Sequence, residues 1–134
     1  MGSAIKIATL NTRGVSQGWR WDLIWGACNI NNIKILCLQE IHNFDMGNYI
    51  AQMKCKAVHS KGTSTQGGVA LIVTTTFSDK VTIKGAFTIK GRVVSVYITY
   101  CKVRILYICV YAPPQGKECR PFFEKLRGLL TEPP

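Results

Sequence analysis

The sequence predicts an α/β fold. Three patterns carry that prediction: a strand, helix, strand run over residues 5–39, a series of β-rich segments between 69 and 110, and an apolar helix near the carboxyl end. Ile5, Ile7, Ala8 and Leu10 make Ile5 to Leu10 a strand ending at Asn11, and Gly14 marks the turn beyond it. From Trp19 to Ile30, Leu23, Ala27 and Ile30 recur at helical spacing, while Trp21, Ile24, Trp25 and Cys28 extend the apolar face. Ser16 is the candidate N-cap. Gly26 costs about 1 kcal/mol of helix propensity relative to Ala, which packing of the surrounding aromatics offsets. Asn29, Asn31 and Asn32 weaken helical continuation. Ile33 to Gln39 is apolar on both parities, as a buried strand requires, and Glu40 stands at its far end.

A right-handed crossover places these two strands side by side and parallel, so Asn11 and Glu40 emerge at one sheet edge. Clefts of open α/β sheets form on that side. Met53 to Val58 is the next strand, and Lys61 to Thr65 a connection. Gly67-Gly68 solves a turn or packing constraint before Val69 to Val73, which pairs antiparallel with a neighbour. Lys80 to Ile83 and Phe87 to Ile89 are two short strands. Val93 to Thr99 and Val103 to Val110 are clearer, because Val94, Val96 and Ile98 alternate on one and Val103, Ile105, Tyr107 and Cys109 on the other. Tyr111-Ala112-Pro113-Pro114 then leaves the sheet, since proline lacks a ladder donor. A final helix starts near Pro121 and aligns Phe122, Leu126, Leu129 and Leu130, with Phe123 broadening the face and Pro133-Pro134 stopping it.

Composition bounds the function. With 134 residues, 47% hydrophobic and 18% charged, the chain has room for one domain and is too apolar for wholesale disorder. The apolar stretches fall short of the roughly 20 residues that cross a bilayer. Met1 to Ile7 lacks a secretory segment, which leaves a nuclear or cytoplasmic setting and no membrane partner as the expectation. Seventeen basic residues against seven acidic ones give +10, with most of the surplus after residue 50. That excess suits a polyanion, although a soluble cationic surface produces the same composition. Six cysteines without a CxxC knuckle are expected as free thiols, with disulfides and a structural zinc site as the alternatives. The Trp19, Trp21 and Trp25 cluster reads as helix packing, and His59 as a strand-edge residue.

The ordered segments IKIATLNTRG (Ile5 to Gly14), ILCLQEIH (Ile35 to His42), GGVALIV (Gly67 to Val73) and ICVYAP (Ile108 to Pro113) resemble the endonuclease/exonuclease/phosphatase family, especially its exonuclease-III-like and LINE retrotransposon endonuclease members. The resemblance covers nearly all 134 residues but only the amino-terminal half of the expected domain. It implies an incomplete two-sheet sandwich with mainly the first sheet and flanking helices. It also implies a magnesium-dependent DNA endonuclease, with manganese as the alternative ion.

By that resemblance, Asn11, Glu40 and Tyr111 match catalytic positions, with Glu40 the metal-binding glutamate. Lys117 matches a basic DNA-contacting position, and His42 follows the matched glutamate as in retrotransposon relatives; Arg13 is a second candidate phosphate contact by its charge, at a place where family enzymes often use a carboxylate or amide. A hard cation prefers carboxylate oxygen, which makes Glu40 chemically apt. Each residue has a plainer reading: Glu40 as a solvated strand end, Asn11 as a turn cap, Tyr111 as an aromatic buried beside Pro113. The family's later GDFN-like and SDH-like motifs have no match before Pro134. Efficient hydrolysis is therefore expected only with a complementary carboxyl-terminal portion or a homo-oligomer. A noncatalytic nucleic-acid-binding fragment and a protein-association module are the alternatives.

Overall fold

A computed structural model describes residues 4–15, 18–113 and 116–131; Ser16, Pro114 and Pro133-Pro134 lie outside the described residues. β1 (Ile7–Asn11), α1 (Gly18–Asn31) and β2 (Ile35–Gln39) form the expected crossover, with β1 parallel to β2 and Asn11 opposite Gln39. β3 (Lys56–Ser60) and β4 (Val69–Val73) complete a four-stranded sheet in the order β1-β2-β4-β3. β4 is antiparallel to both of its neighbours, and its central place explains why all five of its residues are buried.

β5 (Thr82–Ile89), β6 (Val93–Tyr100) and β7 (Val103–Val110) form a second, antiparallel sheet in that order. The chain thus carries strands of both sheets of the sandwich, where the resemblance emphasised the first. The alternating faces explain this. Val94, Val96, Ile98 and Cys109 pack onto Ile35, Val69, Leu71 and Val73 to make the inter-sheet core. The other face of the four-stranded sheet presents Leu36, Leu38, Ala70 and Ile72 to Trp21, Trp25 and Cys28 of α1.

Several elements differ from the sequence expectation. On α1 the buried arc is Trp21, Trp25 and Cys28, while Leu23 is 64% and Ile30 85% exposed. β1 is an open edge, so the flank of α1 that carries Leu23 and Ile30 finds no sheet beneath it. A groove of about 550 Å³ remains there, lined by Ile7, Leu10, Ile24 and Ala27. Residues assigned to no element form α2 (Gly47–Met53), so Met53 ends a helix instead of opening a strand. The Asp45 side chain accepts from Gly47 N at 2.9 Å, Lys54 closes the helix in the left-handed region, and Tyr49 stacks on Trp21 at 5.6 Å. α3 (Thr75–Ser78) is a single turn.

The two short strands expected over 80–89 are one strand, β5, with a bulge between Gly85 and Thr88. Ser95 Oγ sustains the irregularity by accepting from Phe87 N at 2.8 Å and donating to Phe87 O at 2.7 Å. β6 and β7 meet at a two-residue turn in which Cys101 and Lys102 both have positive φ. α4 (Cys119–Thr131) holds Pro121 in its first turn as expected, yet only Phe122 is buried, and Phe123 and Leu130 are exposed. All six cysteines are free. Among the described residues no helix is long and apolar enough to cross a membrane.

Glycines decide how the loops close. Gly62 N donates to His42 O, His42 N to Gly67 O, and Gly68 N to Gly91 O, each at 2.8 Å. Gly68 has φ 89°, and a Cβ there would lie 2.4 Å from His42 O. Gly26, by contrast, has open space around its missing Cβ. Gly68→Ala is therefore expected to destabilise the chain by about 3 kcal/mol or more through clash and backbone strain. Gly26→Ala should stabilise it by about 0.5–1 kcal/mol. Equilibrium denaturation midpoints of the two variants check both signs.

Candidate functional site

The site is built where β1 and β2 end. Beyond the last paired residues, Thr12 N donates to Gln39 O at 2.9 Å and Gly14 N to Glu40 O at 2.8 Å, so the two strand ends remain bound past the ladder. Thr12 Oγ1 adds contacts to Gln39 O at 3.1 Å and Glu40 O at 3.0 Å. The turn at Arg13 and Gly14 has positive φ at both residues, and the Arg20 guanidinium ties it down by donating to the Thr12 and Gly14 carbonyls. Glu40 itself has φ 56°, which turns its side chain out of the β2 direction at the sheet edge.

Tyr111 reaches this edge from the other sheet. Its hydroxyl donates to Glu40 Oε1 at 3.3 Å. Its position is fixed twice: Tyr111 N donates to Arg92 O at 2.6 Å, and the Arg92 guanidinium stands 5.1 Å above its ring. Arg92 also pairs with Glu118 at 3.8 Å. A chain of contacts therefore runs from Glu40 through Tyr111 and Arg92 to the turn before α4.

The structure brings Glu40 and Tyr111 into contact and sets Asn11 at the neighbouring strand end. The Asn11 amide oxygen is engaged locally, accepting from Arg13 N at 3.1 Å, while the side chain lies exposed. Arg13 is exposed on the same turn. His42 has φ 58°, and its half-buried ring stands against Gly14, where a Cβ would be 3.1 Å from Nδ1. It thereby braces the turn that carries Asn11. Lys117 is exposed in the turn before α4, next to the Glu118 that pairs with Arg92. His59 lies half-buried in β3, away from this edge.

Arg92, Thr12, Arg20 and Gln39 belong to the site's framework and were not among the candidate residues, although Thr12 and Gln39 lie within the ordered segments. Arg92 was the most legible of them. The two-residue turn at Cys101 and Lys102 fixes the register Val93↔Val110, which sets Arg92 opposite Tyr111.

As a cation site, this edge offers one carboxylate. Among the described residues no group of three or more His, Cys, Asp and Glu could hold a metal ion. Magnesium is nevertheless often held by one or two carboxylates with water and phosphate oxygens completing the shell. Glu40 fits that role as a carboxylate at the strand edge, with Tyr111 hydrogen-bonded to its Oε1.

No sequence-family profile matches the chain, and no curated protein matches it either. Solved structures do. A humanised D. rerio TDP2 carrying 14 mutations matches with a TM-score of 0.66 and 11% identity over 94% of this chain and 54% of its own. D. rerio TDP2 complexed with a single-strand DNA product gives the same score and identity, covering 94% and 53%. The AP endonuclease LMAP from Leishmania major matches with a TM-score of 0.61 and 16% identity, covering 96% and 45%. The chain has the endonuclease/exonuclease/phosphatase fold. It spans about half the length of the structures that share it.

Within this endonuclease/exonuclease/phosphatase framework the Tyr111 phenol is held above its ordinary pKa, first by burial and then by the charge and hydrogen bond of Glu40, with Arg92 acting in opposition. It therefore stays a donor at neutral pH. A raised folded pKa contributes stability that is fully present below the unfolded phenol value of about 10 and is lost as pH rises through the folded one. Tyr111→Phe should cost about 1 kcal/mol at neutral pH and make the decline in stability above about pH 10 shallower. Urea denaturation between neutral pH and pH 11 measures this, and an unchanged slope would break the link.

Proposed function

We propose that residues 1–134 are the amino-terminal portion of one nuclease domain which, with its complement, hydrolyses DNA phosphodiester bonds with the help of a divalent cation. The contact between Glu40 and Tyr111, at the strand edge where Asn11 emerges, carries this reading. The fold likeness to an AP endonuclease and to TDP2 solved with a DNA product supports DNA as the substrate. The motif resemblance favours a retrotransposon-like origin and magnesium, with manganese as the alternative ion.

In this reading Glu40 would hold the cation. The bound ion would supply neutralisation of charge developing on the phosphate. Tyr111, kept protonated, donates to Glu40 in the resting site and can donate to a phosphate oxygen. Asn11 orients the phosphate through its exposed amide. Arg13 and Lys117 draw the nucleic-acid backbone to the edge, and His42 keeps the Asn11 turn in place beside the substrate path.

The complement has a structural reason. Among the described residues β1 and β7 have no strand on their outer sides, and Ile7, Leu10, Val103 and Ile105 lie exposed along them. Long apolar edges of this kind call for further strands, from the remainder of the domain or from a second copy. Joined to a complementary carboxyl-terminal half, the chain should nick DNA in a magnesium-dependent reaction that Glu40→Gln reduces by about 100-fold or more. Equal nicking by a folded Glu40→Gln assembly would sink the metal role.

The net charge of +10 favours a second reading, a noncatalytic nucleic-acid binder. On that reading the 134-residue chain alone binds DNA, and log K falls linearly with log salt at about −0.9 per neutralised phosphate. Fluorescence anisotropy across a salt series measures the slope. Salt-insensitive or absent binding would reject it.

A further inference from the structure

We propose that Cys37 and Cys109 form an oxidisable dithiol site joining the two sheets, with hydrogen peroxide as its two-electron oxidant. This inference is independent of the nuclease reading. Cys37 lies on β2 opposite Leu71, and Cys109 on β7 opposite Val94, so both project into the inter-sheet core. Both side chains belong to the one inter-sheet cluster, close enough that each thiol shifts the titration of the other. The sheets approach closely at this point, with Cys109 Sγ 3.4 Å from Leu38 O and 3.5 Å from Ala70 O.

The pair is asymmetric, and the asymmetry makes Cys37 the thiol that reacts first. Cys37 is only partly buried and open to a small oxidant, whereas Cys109 is buried. The hydrogen bond from Cys109 lowers the Cys37 pKa against the opposing effect of burial. The same bond, followed by burial and by the charge of Cys37, raises that of Cys109. Attack of the Cys37 thiolate on peroxide gives Cys37 sulfenic acid and releases hydroxide. The Cys109 sulfur then displaces the second hydroxyl from the Cys37 sulfur, forming the S–S bond and losing its proton. Two thiols and one peroxide thus yield one disulfide and two waters.

The other cysteines are placed differently. Cys28 and Cys55 lie in the core on the opposite face of the four-stranded sheet, where burial raises both. Cys101 sits in the β6–β7 turn and Cys119 at the start of α4. Gln39 Nε2 links the dithiol to the β1 edge, donating to Cys109 Sγ at 3.6 Å and to Thr9 Oγ1 at 2.8 Å. Since Gln39 precedes Glu40 and Cys109 lies shortly before Tyr111, the disulfide would fasten the two sheets directly beneath the Glu40 and Tyr111 contact.

The test treats the 134-residue chain with equimolar hydrogen peroxide at neutral pH, alkylates remaining thiols under denaturing conditions, and maps the peptides. The expected result is loss of two of the six thiols, one intramolecular Cys37 to Cys109 peptide pair reversed by dithiothreitol, and a melting temperature higher by about 5–15 °C. In Cys109→Ser, Cys37 should stop as a sulfenic acid that dimedone traps. Recovery of both Cys37 and Cys109 as alkylated thiols while Cys101 oxidises would overturn the proposal, as would a disulfide from either one to another cysteine. Should the serine variant not fold, the map of the unsubstituted chain decides the matter.

Discussion

The site depends on one backbone constraint: Glu40 and His42, neither of them glycine, are both held in the left-handed region. Such a conformation costs on the order of 1–2 kcal/mol per residue and persists only where surrounding bonds over-determine it. Here they do. Gly14 N binds Glu40 O, Ile41 N binds Gly68 O, His42 N binds Gly67 O and Gly62 N binds His42 O. All four partners, Gly14, Gly62, Gly67 and Gly68, can approach closely because they carry no side chain, and Gly68 admits none. The bend at 40–42 turns a strand-end carboxylate toward the tyrosine of the opposite sheet.

The second requirement is the spacing of the sheets. Ala70 and the two thiols are small, so β7 comes close to the backbones of β2 and β4 at Cys109. Shortly beyond that closest approach the chain delivers Tyr111 to Glu40. The inter-sheet core therefore has a positional role as well as a cohesive one. A bulkier pair at 37 and 109 would separate the elements that meet above it.

The same architecture leaves its edges unfinished. Among the described residues β1 and β7 are unpaired on their outer sides, α1 overhangs a groove, and α4 buries only Phe122. These surfaces explain why periodicity misjudged the face of α1. Leu23, Ala27 and Ile30 form a sound helical stripe, but burial requires something to lie against. The tryptophans at 21 and 25 meet the sheet, Phe44 and Tyr49, while Leu23 and Ile30 extend past the last strand.

What the sequence determined by itself was the crossover of the first two strands, the turn and strand after Gly67-Gly68, the 93–110 hairpin, and hence the emergence of Asn11 and Glu40 at one edge. Those features follow from local periodicity and from chain connectivity, which act over short distances along the chain. Only the tertiary structure decided that 82–110 forms a second sheet and that Cys37 and Cys109 share the core between the sheets. Both depend on packing between strands far apart in sequence. No local pattern encodes such contacts, because the side-chain volumes that set the sheet separation act jointly and only after the strands have paired.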